Sequence, residues 1–278
     1  MFRPSDILID EFVDRLNQDY TAHFGDGVAR HRDTLRQVAR MALPRIARSD
    51  ALYYDIGYAF LITQVGQEML IGRITRDGDV TSSDWVHFVA SLLCATVGFG
   101  RSICPGDTEE TCVIDEAGQT IKLPRGATDG FLWPYFADRS KIFVRHYFRD
   151  HPVLDPEVLA TNIEYSRFPP LPDSNLETAS HPGLLRAAFY IGAVADPHLM
   201  LKMRRIFLQA TEAGITDQLG YPTPEKFFAA YTTIFWSILY PLIIEGMELL
   251  KHTGEGRSWL ANMHGHLLVE EHRLKSGD

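Results

Sequence analysis

The sequence predicts a mostly α-helical protein carrying one small β-hairpin around residues 111–124, and three observations predict it. Apolar residues recur at three- and four-residue spacing over most of the 278 positions, the period of a helix with one buried face. Only "TCVIDEAGQTIKLPRGATDG" departs from that period, with short β-prone runs at Cys112–Ile114 and Thr120–Leu123 around the turn residues Glu116, Ala117 and Gly118. No internal repeat and no linker-like composition divides the chain, so residues 1–278 read as one helical domain. Within it, 1–40 forms an N-terminal helical extension and 103–130 a hairpin and loop insertion.

The elements follow in order. Ile7, Leu8, Phe12, Val13 and Leu16 form an apolar stripe behind the capping signals Ser5 and Asp6. A second helix is predicted over about 28–48. A third runs from near Tyr58 to Ile74, with Phe60, Ile62, Val65, Met69 and Leu70 apolar. "TSSDWVHFVASLLCA" opens on Ser/Asp cap signals and is apolar on nearly every face, which predicts a central helix. The Pro-rich "SRFPPLPDSN" reads as an extended loop. Helices resume at "GLLRAAFYIGAVA", "LMLKMRRIFLQATEAG", "PEKFFAAYTTIFWSILYPLIIEGMELL" and "SWLANMHGHLLVEEHRL".

Composition narrows the function. A net charge of −9 disfavours nucleic acid and anionic membrane surfaces, both of which attract basic patches. Cys94, Cys104 and Cys112 are three in number with no CxxC pair, the pattern of reduced thiols in a cytoplasmic protein. The acidic residues in "MFRPSDILIDEFVDRL" are foreign to a secretory signal. "AAYTTIFWSILYPLII", 229–244, is uncharged but shorter than the roughly 20 residues of a spanning helix, and it contains Pro241. It therefore reads as a buried core helix, with an oligomer interface as the alternative; together with the aromatics of "PEKFFAAY" it makes a homodimer plausible.

Residues that could carry chemistry are few. No phosphate-cradling glycine loop, G-x-S-x-G elbow or H-E-x-x-H pair is present. His264, His266 and His272 read as surface residues, and His87 as a hydrogen-bonded, half-buried histidine of the central helix. Asp107 in "CPGD", Asp129 in "GATDG" and Glu164 in "NIEYSRF" stand out in polar loops. The first two are also suited to bracing turns, and Glu164 to pairing with Arg167 on one helical face.

Three stretches, "YYDIGYAFLITQVGQEML", "DWVHFVASLLCATVGFGRSICPGD" and "GLLRAAFYIGAVADP", resemble the bacterial metal-dependent phosphohydrolases of the HD-domain superfamily, and most of all a cyanobacterial-type subgroup. The likeness continues through "GATDGFLWPYFADRSKIFVR", "NIEYSRFPP" and "EGRSWLANMHGHLLVEEH", and so covers nearly all of the chain past about residue 40. It implies an all-α fold and a His…His-Asp…Asp ligand set for divalent metals that activate water against a phosphate ester. Such relatives read Y-H-N-x-x-H, L-L-x-H-D-I-G-Y and R-A-A-D-L-I-G. Here the first motif is Tyr53-Tyr54-Asp55-Ile56-Gly57-Tyr58, so both imidazoles are tyrosines. The His-Asp pair is Ala95-Thr96, the last carboxylate is Phe189, and a further histidine is Phe136. Ala, Thr and Phe supply no metal ligand and a neutral phenol is a poor one. The resemblance thus implies a pseudoenzyme that has lost its metal and takes no cofactor.

The emptied site, Tyr54, Asp55, Tyr58, Ala95, Thr96, Phe136 and Phe189, is expected to be a remodelled aromatic pocket. The protein is then a scaffold or regulator of an unidentified protein partner, or a binder of an apolar or aromatic small molecule. A binder predicts an enclosed cavity of a few hundred Å³; a scaffold predicts none. A new metal-free activity would have Asp107, Asp129, Glu164 and Arg167 for its acid–base and anchoring groups. An active phosphohydrolase, or another hydrolase or lyase with a non-standard site, is the remaining alternative. Convergence of Tyr58, Thr96 and Phe189 in space would be the structural signature of the mapping.

Overall fold

The fold is taken from a computed structural model that describes residues 4–25, 29–170 and 177–276. Thirteen α-helices are present among them. α1 (Pro4–Phe24), α2 (Ala29–Ile46), α3 (Ile56–Arg76) and α4 (Ser82–Cys94) come first. The hairpin follows, β1 (Thr111–Val113) with β2 (Thr120–Lys122), then α5 (Phe136–Tyr147), α6 (Pro156–Glu164) and α7 (His181–Val194). α8 (Leu199–Glu212), α9 (Ile215–Leu219), α10 (Pro224–Ala229), α11 (Tyr231–Ile234), α12 (Tyr240–Leu250) and α13 (Gly254–Ser276) complete the chain. The mostly-α fold with a single small hairpin matches the expectation.

α3 and α7 pack side by side at the centre, with α12 against both and α4 against α3. α2 lies on α4 and α1 on α2, and their Val13, Leu35, Val38, Ala42 and Leu43 join the same continuous core as α3 and α7. Close approach of α3 to α12 depends on Gly72, where a Cβ would stand 2.1 Å from the Leu249 carbonyl oxygen. Local signals set the helix starts. Thr81 and Asp84 form a reciprocal capping box ahead of α4, and Ser180 caps α7 with Pro182 in its first turn.

Several boundaries differ from the sequence reading. The first strand pairs at Thr111–Val113, one residue earlier than expected, in the register Thr111↔Lys122, Cys112↔Ile121 and Val113↔Thr120. α5 and α6 were not anticipated. α5 carries Arg139 and Ser140 in the middle of its buried face, which masks the apolar period, and α6 is only nine residues long. The single helix expected over 224–250 is broken into α10, α11, a π turn at Phe235–Leu239 and α12. Pro241 has no N–H to donate to Ser237, and the Tyr240 N–H reaches back to the Phe235 carbonyl instead.

The segment expected to be a buried core helix is amphipathic. Leu239, Leu242 and Ile243 face inward, while Trp236 and Ile244 are exposed. By length and composition alone Tyr231–Leu250 could cross a membrane, with 44% of its most apolar window buried inside the fold. Of the Pro-rich loop, 171–175 lie outside the described residues; 166–170 are non-helical, as expected.

Candidate functional site

The site begins at the entrance to α3. Asp55 is extended and its Oδ1 accepts the Tyr58 N–H at 2.9 Å, which makes it the N-cap of α3. This turn projects Tyr53, Tyr54 and Tyr58 into the core, where all three are buried. The Tyr53 N–H is held by Gln209 Oε1 of α8 at 2.7 Å, and the Tyr58 hydroxyl donates to the Phe189 carbonyl of α7 at 2.6 Å.

Four rings then stack almost in parallel. Tyr54 lies on Phe99 (centroids 4.6 Å apart, planes at 16°) and Phe99 on Phe136 (4.7 Å, 10°). Phe189 sits beside Phe136 (5.8 Å, 15°) and Tyr54 (5.7 Å, 25°). Tyr58 and Trp133 meet Tyr54 edge-on at 4.9 Å. Offset stacks and edge contacts of this kind stabilise by about 0.5–1.5 kcal/mol per pair beyond the area they bury. Tyr54 and Tyr58, Phe136 and Phe189, from three separate stretches of the chain, therefore meet in one cluster. Thr96 is buried at the foot of the 3₁₀ turn Val97–Phe99 that delivers Phe99 to the stack; its Oγ1 has no partner among the described residues.

This cluster does not suit a divalent metal. Stacked phenyl rings fill the centre, the Tyr58 hydroxyl is already donating, and Asp55 is committed to its helix cap. Burial drives the Tyr53, Tyr54 and Tyr58 hydroxyls well above the ordinary phenol range, with the neighbouring phenols adding to the effect. They stay protonated, and a protonated phenol is a poor ligand. Among the described residues no three His, Cys, Asp or Glu side chains gather as an ion-binding group.

An apolar cavity of about 110 Å³ lies next to the stack. Tyr53, Tyr54, Tyr58 and Phe189 form one wall. The other comes from α8 to α11, through Met203, Ile206, Ile215, Phe227 and Tyr231. Asp55, Ala95, Thr96 and Phe136 do not line it, which corrects the pocket expected from the sequence. Ala95 and Thr96 are fully buried and take no part in the cavity. The space opens instead on the far side of the tyrosines. It is also smaller than the few hundred Å³ expected, since the aromatic rings occupy most of the room.

The polar loop residues form three separate structural assemblies. Asp107 accepts backbone N–H groups from Ile103 (2.9 Å), Cys104 (3.0 Å) and Val113 (2.8 Å). It also pairs with Arg139 at 3.0 and 3.2 Å, with both side chains essentially unexposed. Burial works against its charge, but the Arg139 guanidinium and these N–H groups outweigh it and hold the carboxyl below the ordinary range. Arg139 further donates to the carbonyls of Gly98 (2.7 Å), Gly100 (2.7 Å) and Val113. Ser140 Oγ bridges the Ala95 carbonyl and the Gly98 N–H. At Gly98 a Cβ would meet the Phe136 carbonyl oxygen at 2.0 Å. "ATVGFGRSICPGD" is thus bolted to α5 by two adjacent residues that the sequence reading passed over. Their signal was there: Arg139 falls on the face marked by Phe136 and Phe143.

Asp129 opens a 3₁₀ helix and bonds Arg101 Nε at 2.6 Å, while Asp50 accepts its backbone N–H at 2.6 Å. Burial, and then Asp50, push its carboxyl up. Glu164 ends α6 and pairs with Arg167 just beyond the helix, rather than along one helical face; Asp138 and Lys141 of α5 complete a four-residue ion cluster. None of these side chains lines the cavity. His87 is hydrogen-bonded to the Ser83 carbonyl and the Asp155 N–H, and His266 to the Val194 carbonyl. The three cysteines are buried and free, and burial raises every thiol, Cys104 to about 12.

Residues 2–273 match one protein-family model, described as Npun_R2479-like. No curated protein and no solved structure matches the chain.

Proposed function

The chain belongs to the Npun_R2479-like family, and we propose that it is a metal-free, catalytically inactive relative of the HD-domain phosphohydrolases that binds a small apolar molecule. The observation that carries this reading is the apolar cavity of about 110 Å³ at the edge of the tyrosine cluster. Its size is close to the ~150 Å³ apolar cavity that is known to take up benzene. The positions mapped to metal ligands hold stacked rings and a cap carboxylate, an arrangement that supports loss of the ancestral hydrolysis. The cavity joins α3 and α7 to α8–α11, so occupancy would tie the central helices to that outer layer and supply a regulatory output.

Two experiments test it. Calorimetric titration with benzene should give saturable binding that Ala193→Leu, which fills the cavity, abolishes without unfolding the protein. Elemental analysis and a generic phosphodiester assay of the purified protein should give no stoichiometric divalent metal and no turnover. Stoichiometric metal that disappears with Asp55→Ala would overturn the metal-free reading, and benzene binding unaffected by Ala193→Leu would overturn the assignment of the cavity.

A further inference from the structure

The connection between α5 and α6 reads His151-Pro152-Val153-Leu154-Asp155-Pro156. Its two prolines have no N–H, and the three N–H groups between them all donate to imidazole nitrogens. Those of Val153 and Leu154 donate to His151 Nδ1 at 3.2 and 3.1 Å. That of Asp155 crosses to His87 Nε2 on α4 at 3.0 Å. These partners fix both rings as neutral. A nitrogen that accepts an N–H carries no hydrogen, so His151 holds its own on Nε2. His87 Nδ1 lies 2.8 Å from the Ser83 carbonyl oxygen, which can only accept. That nitrogen therefore bears the hydrogen, and Nε2 offers the lone pair. Both histidines are half-buried, so protons reach them.

We propose that proton uptake by His151 and His87 unfastens this turn and frees the start of α6, a pH-sensitive device built into the α5–α6 connection. An imidazolium has an N–H on each nitrogen and no lone pair, so a protonated ring meets the backbone donor to donor. His31 of α2, Asp84 of α4, His151 and His181 of α7 lie within electrostatic reach of His87. Asp84 is the one carboxylate among these, and it is engaged in the α4 capping box. The Asp155 carboxylate accepts the Glu157 N–H at 2.8 Å. Burial, and then His87, hold His151 below its ordinary 6.5. Its contribution is therefore complete above pH 6.5 and is lost as pH falls through its folded value. Arg145 of α5 pairs with Glu157 in the first turn of α6 at 2.7 Å and holds that carboxyl below its ordinary range. This tie stays charged while the imidazoles titrate, and α6 also packs on α4, α5 and α7. Opening is thus confined to the turn and the helix start.

The test is backbone amide exchange followed by NMR, together with the ring-nitrogen shifts of the histidines. At pH 7.5 His151 should show the Nε2–H tautomer and His87 the Nδ1–H tautomer. From pH 7.5 to pH 5 the protection of the Val153, Leu154 and Asp155 amides, relative to an unstructured peptide, should fall about fivefold for each neutral hydrogen bond lost. Protection of Val65, buried in α3, should hold. His151→Asn puts an amide oxygen where Nδ1 stood and should keep Val153 and Leu154 equally protected at both pH values; His87→Gln should do the same for Asp155. Wild-type protection that does not change with pH, an equal fall in the variants, or a fall at Val65 as large as in the turn overturns the proposal. If a variant fails to fold, the wild-type tautomers decide: either ring charged, or in the opposite tautomer, at pH 7.5 overturns it as well.

Discussion

Asp107 offers the sharpest test of whether a polar residue in a well-formed loop does chemistry or construction. Replacing it with Ala leaves the Arg139 guanidinium buried with no counter-ion and frees the N–H groups of Ile103, Cys104 and Val113. An uncompensated buried charge alone costs about 3–5 kcal/mol, and each orphaned N–H about 1–3 kcal/mol before relaxation. With overlap between these terms, at least ~4 kcal/mol should be lost, a large share of the 5–15 kcal/mol typical of a folded protein. In urea, with a slope of about 3 kcal/mol per molar for a chain of this size, the unfolding midpoint should fall by more than about 1 M, read by far-ultraviolet circular dichroism and by tryptophan fluorescence. Asp107→Leu combined with Arg139→Met removes both charges and should be at least ~1 kcal/mol more stable than Asp107→Leu alone. An Asp107→Ala protein within about 0.5 kcal/mol of wild type, or a double variant less stable than the single one, would refute the reasoning.

Three other outcomes are expected. Gly98→Ala forces the 98–100 turn off α5, since the new Cβ meets backbone at 2.0 Å; a loss of at least about 2 kcal/mol should lower the melting temperature by roughly 4 °C or more, and an unchanged transition would contradict the packing. His181 is held below its ordinary value of 6.5, first by burial. Its folded pKa lies under its unfolded one, so its contribution is complete above pH 6.5 and is lost as pH falls through the folded value. The gap in melting temperature between wild type and His181→Asn should therefore shift against the wild type from pH 8 to pH 5, and a gap independent of pH would be inconsistent with this. Finally, with all three thiols buried and raised, a thiol reagent should label no cysteine in the native protein and three in denaturant; rapid native labelling would show that the loop around Cys104 and Cys112 opens.

Much of the helical layout was legible because its signals are local. Apolar period and caps act over three or four residues, and they placed α1 to α4 and α7 to within a few positions. The same locality explains the misses. α5 hides its period behind Arg139 and Ser140, which are inward-facing and polar, and the π turn before Pro241 arises from a donor that the chain cannot supply.

For the site, residue types alone determined that the mapped ligand positions hold phenols, methyl groups and phenyl rings, a set with little affinity for a divalent ion. Only the tertiary structure decided what occupies the space. Phe99, singled out by nothing in the sequence, packs against both Tyr54 and Phe136, and the cavity lies on the other side of the tyrosines, against α8–α11. The physical reason is range. Side-chain chemistry is written at single positions, whereas ring stacking and the cavity depend on helices far apart in the chain meeting in one core.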